Sequence, residues 1–270
     1  MTSSPTTPGS LRGASFHQRD LSGTTFDTCT LEGARLRDCN LSGVTVVSSY
    51  IENLRVSSLH GQGARVIVDD VDVSEYVAAE LDRRFPERTA LRSLGGPDDY
   101  RALFATLEAR WDETLTRAER LPAPARDERV DGEWSLVETL RHLVHADDCW
   151  ISRQYGETGD AFHPLGLLPT DYPVEERAGL GLEEGAQPAY EEVVALFRER
   201  RARLRALLGT VTEADLERPR TAVIAPAWGE ETHTGAECLR VLLEEYSSHR
   251  RYAERDLGAL ELRYRASESG

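Results

Sequence analysis

VLLEEYSSHRRYAERDL, residues 241–257, repeats its apolar positions with a helical period and sets two polar residues among them. In helical phase Leu242, Tyr246 and Ala253 form one stripe. His249 falls within that stripe and Glu245 on its edge. The two are four residues apart, so they stack on one face. An ionised carboxylate turned toward an apolar interior is costly unless paired. A divalent cation is one solution, because Glu-x-x-x-His sets two ligands about one turn apart. A hydrogen bond from a core histidine to its neighbouring carboxylate is the other.

Two ligands do not hold zinc, so a metal reading needs a third. In SLVETLRHLVHADDCWISRQYG, residues 135–156, the apolar face is Leu136, Leu140, Leu143, Val144 and Ile151. His142 lies at its flank and His145 points further away, so His142 is the better third ligand. Three protein ligands leave one position open, the arrangement of a catalytic site. His145 is a candidate supporting partner or proton relay, although an exposed helical histidine is the simpler expectation. His163, in FHPLGL, is a candidate cover for the site, against a plain loop-packing role. Arg250, with Arg251 and Arg255, is a candidate holder of a carboxylate on a small molecule, against a solvated surface role. Trp134 and Trp150 are expected to fill core. No catalytic acid, base or nucleophile is named by spacing.

Outward from this region the signals stay helical. Residues 97–121 keep Tyr100, Leu103, Phe104, Leu107, Trp111 and Leu115 on one stripe. Ser135 with Glu138 and Thr234 with Glu237 are capping boxes opening helices. Residues 188–209 form a further amphipathic run. Four helices of this length suit a four-helix bundle. Residues 157–187 and 210–233 are long connections, of a length that usually carries function or covers a site. Before them, Val66–Val68 reads as a short strand, and Ser74 opens a short helix that Pro86 stops.

Residues 14–58 repeat every five. Phe16, Leu21, Phe26, Leu31, Leu36, Leu41, Val46, Ile51 and Val56 are the large apolar positions. A mostly small residue stands two places before each, as in GARLRDCNLSG, residues 33–43. Neither helix nor flat strand has a period of five. The unit resembles the pentapeptide-repeat family, which implies a right-handed β-helix with the large and small positions turned inward. Nine units make little more than two coils, so the stack leans on the rest of the chain or on a second copy in a homodimer.

Charge limits the partners. Residues 1–70 hold seven acids against six arginines, leaving -14 of the net -15 to residues 71–270. Such a surface repels phosphate backbones and argues against nucleic-acid binding. Every Lys/Arg position is arginine, which excludes lysine Schiff-base chemistry. No stretch approaches the length of a membrane span, and MTSSPTTPGS lacks the features of a signal peptide, so a cytoplasmic protein is expected. Cys29, Cys39, Cys149 and Cys238 form no close pair, so neither a disulfide framework nor a zinc knuckle follows.

WSLVETLRHL, residues 134–143, followed far downstream by VLLEEYSSHRRYAERDL, resembles the DinB-like four-helix bundles. These include bacillithiol transferases and mycothiol-dependent maleylpyruvate isomerase. Trp134 and His142 stand eight apart, as in that pattern, and Glu245-x-x-x-His249 matches its mycothiol-dependent variant. The resemblance implies a divalent metal on His142, Glu245 and His249, zinc first with nickel or iron as alternatives. It also implies a small thiol such as mycothiol, and an electrophile as its reaction partner. The function so implied is thiol-dependent S-transfer or isomerisation. Metal-dependent hydrolysis is the alternative, and a non-catalytic, stress-related binding protein assembled through its repeats is a third reading. The expected organisation is α+β in two modules: a tail at 1–13, a pentapeptide-repeat β-helix at 14–68, a connector with a short helix at 69–96, a DinB-like four-helix bundle at 97–262 and a tail at 263–270.

Overall fold

A computed structural model of the chain describes residues 10–37, 39–51, 54–56, 65–183 and 185–268. The chain divides into two compact units, Met1–Val46 and Val47–Gly270. The expected tail at 1–13 lies outside the described residues as far as residue 9.

In the first unit the period of five appears as turns. Gly13, Gly23, Gly33 and Gly43 adopt φ between 73° and 77°, and Gln18 and Thr28 adopt φ near 50° midway between successive glycines. Each glycine sits in a turn closed by a backbone bond, for instance Ala14 N–H to Leu11 O at 2.9 Å and Ala34 N–H to Leu31 O at 2.9 Å. Glycine reaches that left-handed region without a Cβ clash. Among the described residues of this unit no strand forms. The large apolar positions stay exposed, from 44% at Leu41 to 69% at Leu36, rather than enclosed. With so few repeats no rung has neighbours enough to cover it fully.

The second unit opens with two short antiparallel strands, β1 (Ile67–Val68) and β2 (Val71–Asp72). Helix α1 (Ser74–Arg84) follows. The Ser74 hydroxyl accepts from Val66 N–H at 2.8 Å, tying the strand to the helix rather than capping it. Pro86 ends that run and opens α2 (Glu87–Arg92), which the sequence reading did not separate. Helices α3 (Pro97–Glu119), α4 (Leu136–Asp147), α5 (Tyr190–Thr210) and α7 (Gly235–Glu268) carry the main core. Between α5 and α7 lie α6 (Glu213–Glu217) and an antiparallel pair, β3 (Pro219–Val223) and β4 (Glu230–Thr234). The connection expected at 210–233 is thus partly a hairpin; its turn at Gly229, φ 74°, reverses the chain and lets the strands pair. Helix α7 runs to Glu268, past the tail expected from 263.

Helix α3 packs on α7 and α5, and α4 packs on α5 and α7. Every predicted apolar position of α3 is buried. Trp111 is fully enclosed, donates its indole N–H to Tyr246 O at 3.1 Å, and sets its edge on Phe197. Leu107 is likewise fully enclosed. Leu107→Ala is expected to cost about 2–5 kcal/mol in urea denaturation, through lost transfer energy and the void it leaves. Among the described residues no helix is long and apolar enough to cross a membrane.

Immediately after α4 the winding widens into a π-helical segment, Asp148–Tyr155. Its last turn closes from Gly156 N–H to Ile151 O, five residues back. Such widenings often lie at functional sites. This one grips both long connections. Arg153 donates to Val223 O and Asp160 O, and Gln154 donates to Arg220 O and Glu231 O.

Candidate metal centre

Capping fixes the phase of the two helices that build the site. Ser135 Oγ accepts from Glu138 N–H at 3.2 Å and Glu138 returns the bond, which starts α4 immediately after Trp134. Thr234 and Glu237 do the same ahead of α7. About two turns into α4 stands His142, and about three and four turns into α7 stand Glu245 and His249. One ligand atom from each lies within 4.8 Å of the others. Glu245 Oε2 is 3.5 Å from His142 Nε2 and 3.1 Å from His249 Nδ1.

Hydrogen bonds set the tautomers. His142 Nδ1–H donates to Leu167 O at 3.1 Å, and His249 Nδ1–H donates to Glu245 O at 3.0 Å. A carbonyl only accepts, so each neutral ring carries its proton on Nδ1 and leaves Nε2 bare. His142 is buried, and burial holds its pKa below the usual value against the raising influence of Glu245. Burial works to raise the Glu245 carboxyl, but hydrogen bonding and charge from His142 and His249 outweigh it and hold it below the carboxylate range. The outcome is an anionic carboxylate whose Oε2 lies 3.5 Å from His142 Nε2 and 3.1 Å from His249 Nδ1. Two imidazoles with one carboxylate are a donor set suited to a divalent cation.

Trp134 flanks the trio and does not fill the core as expected. Its ring centroid is 4.7 Å from that of His142 and 6.1 Å from that of His249, nearly parallel to the latter. The N-cap of α4, Ser135, is the next residue, so the indole is carried to the site's edge. Trp150 is partly buried and sets its edge on His233.

The connection at 157–187 reaches the site through its backbone. Arg141, buried on α4, donates to Leu165 O at 2.8 Å, Glu183 O at 2.9 Å and Ala186 O at 2.8 Å. Leu167 N–H donates to Arg141 O, and Leu167 O receives His142. Gly166 allows the close approach, since a Cβ there would meet His145 Cβ at 3.3 Å and the His163 carbonyl at 3.1 Å.

Two further candidates, His145 and Arg250, are placed otherwise than expected, and His163 takes the loop-packing role. His145 is 2% exposed, not a surface histidine, because the same connection lies over it and Phe162 packs on its ring at 4.9 Å. Its Nε2 faces Cys149 Sγ at 3.4 Å, and burial pushes its pKa down to about 3. His163 does not join the trio. Its N–H donates to Asp148 Oδ2 at 2.8 Å and its Nδ1 accepts from Leu165 N–H. Arg250 is buried rather than solvated and points toward α3 and α2, donating to Arg110 O at 3.0 Å and pairing with Glu87 at 3.4 Å. One residue beyond His249 is a quarter-turn away, enough to leave the site's face. Arg255 is held by Asp256 at 2.6 Å. Arg251 lies over Tyr252, whose ring meets the His249 ring edge-on at 5.8 Å.

Sequence reasoning missed Arg141 and the acids Asp147 and Asp148. Arg200 pairs with Asp148 at 3.0 Å and reaches only 3.8 Å from Asp147. Asp147 is 1% exposed, neither of its oxygens has a hydrogen bond within the described structure, and burial pushes its carboxyl up to about 7. The signal was present in DD at 147–148, two acids where the helix has few outward positions to offer.

A family model described as the DinB superfamily matches residues 106–253. A pentapeptide-repeats model matches eight copies over residues 10–45. Comparison with curated proteins and with solved structures finds no match.

Proposed function

The chain belongs to the DinB superfamily and carries pentapeptide repeats ahead of the family's domain, and from that premise we propose that His142, Glu245 and His249 hold a divalent metal for chemistry on a small thiol. The observation that carries the reading is the trio itself, an ionised carboxylate between two imidazoles whose Nδ1 protons are committed to carbonyls. We read the helical unit as a four-helix bundle and the repeats as coils of a right-handed β-helix that supports assembly, a homodimer included.

A cation held there would lower the pKa of a thiol or water brought beside it. The protein's own residues supply the rest. Glu245 contributes charge, His142 and His249 contribute neutral nitrogen, and Trp134 shields one side of both rings. The substrate is then a low-molecular-weight thiol of the mycothiol type, transferred to an electrophile or used for isomerisation. Zinc fits two nitrogens and one carboxylate, and nickel or iron accept the same donors. The thiol route is favoured over hydrolysis because hydrolysis asks for a separate base. Glu245 is committed to both imidazoles, and His145 lies buried against Cys149 with a strongly depressed pKa.

Metal analysis of the purified chain is expected to return about one divalent ion per protein, as one tetrahedral site requires. Turnover of a thiol-acceptor electrophile is expected to depend on added mycothiol and to vanish in His249→Ala. Equal rates without thiol, or in that variant, would remove the assignment.

A further inference from the structure

We infer that Arg141 is a positioning residue that sets the tautomer of His142 through the backbone of Leu165, Leu167, Glu183 and Ala186, and so tunes the metal site without touching it. The inference rests on the metal reading above for its consequence, though not for its geometry.

The chain of contacts is short. The guanidinium of Arg141 spends its donors on three carbonyls, those of Leu165, Glu183 and Ala186, which belong to both arms of one connection. Buried arginine with neutral acceptors is costly, and burial lowers its pKa. Its retention there needs a gain, and the gain is the placement of the segment between those arms. Two residues beyond Leu165, Leu167 is clamped from both sides. Its N–H goes to the Arg141 carbonyl at 3.2 Å and its carbonyl takes the His142 Nδ1 proton at 3.1 Å. Glu183 N–H donates to Pro164 O at 2.8 Å, closing the two arms on each other. Arginine suits this because its five donors lie in one rigid plane; lysine offers a single flexible point and satisfies fewer of the three carbonyls.

The Leu167 carbonyl decides which nitrogen of His142 is free. With the carbonyl in place the proton stays on Nδ1 and Nε2 faces Glu245. With the carbonyl displaced, the favoured arrangement reverses. Nε2 takes the proton, donates it to Glu245 Oε2 at its present 3.5 Å or closer, and is lost as a ligand. Loss of the group that orients a metal-binding histidine typically weakens metal affinity by about 10–100-fold.

The test uses the full chain, metal-free and labelled with ¹⁵N-histidine, as wild type, Arg141→Lys and Arg141→Ala. Imidazole ¹⁵N shifts report the tautomer directly, before any metal is added, and zinc titration follows. Wild type is expected to show Nδ1-protonated His142. Both variants are expected to move His142 toward the Nε2-protonated form, with His249 unmoved because its Nδ1 partner is Glu245 O on its own helix. Zinc affinity should fall by about 10–100-fold. A merely structural arginine would lower the melting temperature and leave the tautomer as it was. Arg141→Lys keeps the charge and guards against a variant that fails to fold. An unmoved His142 signal in folded variant protein overturns the inference. Absence of zinc binding by wild type would sink the metal reading alone, and the shifts would still decide this one.

Discussion

Glu245→Gln is expected to weaken zinc binding by more than about 100-fold, above the range for losing a mere orienting partner. The substitution keeps the shape and removes the charge. The amide oxygen is a poor ligand, and the site loses the anion that offsets a divalent cation beside two neutral imidazoles. Stability should fall too, though by less. In the metal-free wild type Glu245 Oε2 lies 3.5 Å from His142 Nε2 and 3.1 Å from His249 Nδ1, and the two imidazoles hold its carboxyl below the carboxylate range, so folding favours the charged form. A glutamine keeps the shape without the charge, while His249 keeps its bond to the backbone carbonyl of residue 245. The metal-free variant is therefore expected to melt below the wild-type temperature, by about 1 kcal/mol for the weakened contacts. Calorimetric zinc titration and thermal melts in chelator check both halves. Affinity within threefold of wild type would show that the carboxylate is not a ligand.

The second large effect is a pH dependence lodged in the core. Asp147 is buried with both oxygens lacking hydrogen-bond partners, and burial raises its carboxyl from the ordinary range to about 7. Arg200 from α5 approaches to 3.8 Å but is committed to Asp148 and Glu199. Arg203 and Glu199 of the same helix and the neighbouring Asp148 add opposing influences, and Tyr246 faces it from α7. Between about pH 4 and pH 7 the folded chain holds a proton that the unfolded chain has released. Unfolding then releases protons, so stability falls as pH rises through that window and levels off above it. The slope approaches about 1.4 kcal/mol per pH unit for one full proton. Asp147→Asn should remove the slope, and its advantage over wild type should grow from pH 5 to pH 7, roughly as that proton is lost. Urea denaturation across pH in chelator measures it; parallel profiles would show that Asp147 is solvated or paired after all.

The parts of the structure that were legible in sequence are those governed by local periodicity. The α3 stripe from Tyr100 to Leu115 is buried as its spacing requires, and the two capping boxes stand where helices start. The Glu245–His249 pair was visible for the same reason, since four residues on a helix are neighbours whatever surrounds them. His142 entered through phase and family pattern together. Contacts made by the long connections were invisible. His145 points away from the main core and reads as exposed, yet Phe162 and Gly166 arrive from a segment with no period to announce it. Arg250 reads as surface because arginine usually is, and its partner Glu87 lies 163 residues away on α2. The β3–β4 pair escaped because strands of five residues with mixed polarity carry little alternation.

The π-helical turn after α4 separates two responsibilities that a uniform helix would tie together. Upstream of Asp148, rotation about the axis decides how His142 addresses Glu245; downstream, Arg153 and Gln154 must meet the carbonyls of Asp160, Arg220, Val223 and Glu231. An unbroken α-helix gears these ends at a constant angle per residue, so re-aiming one would mis-aim the other. The widened turn works as a coupling between two shafts. The outer end can follow the hairpin, and the inner end keeps its heading.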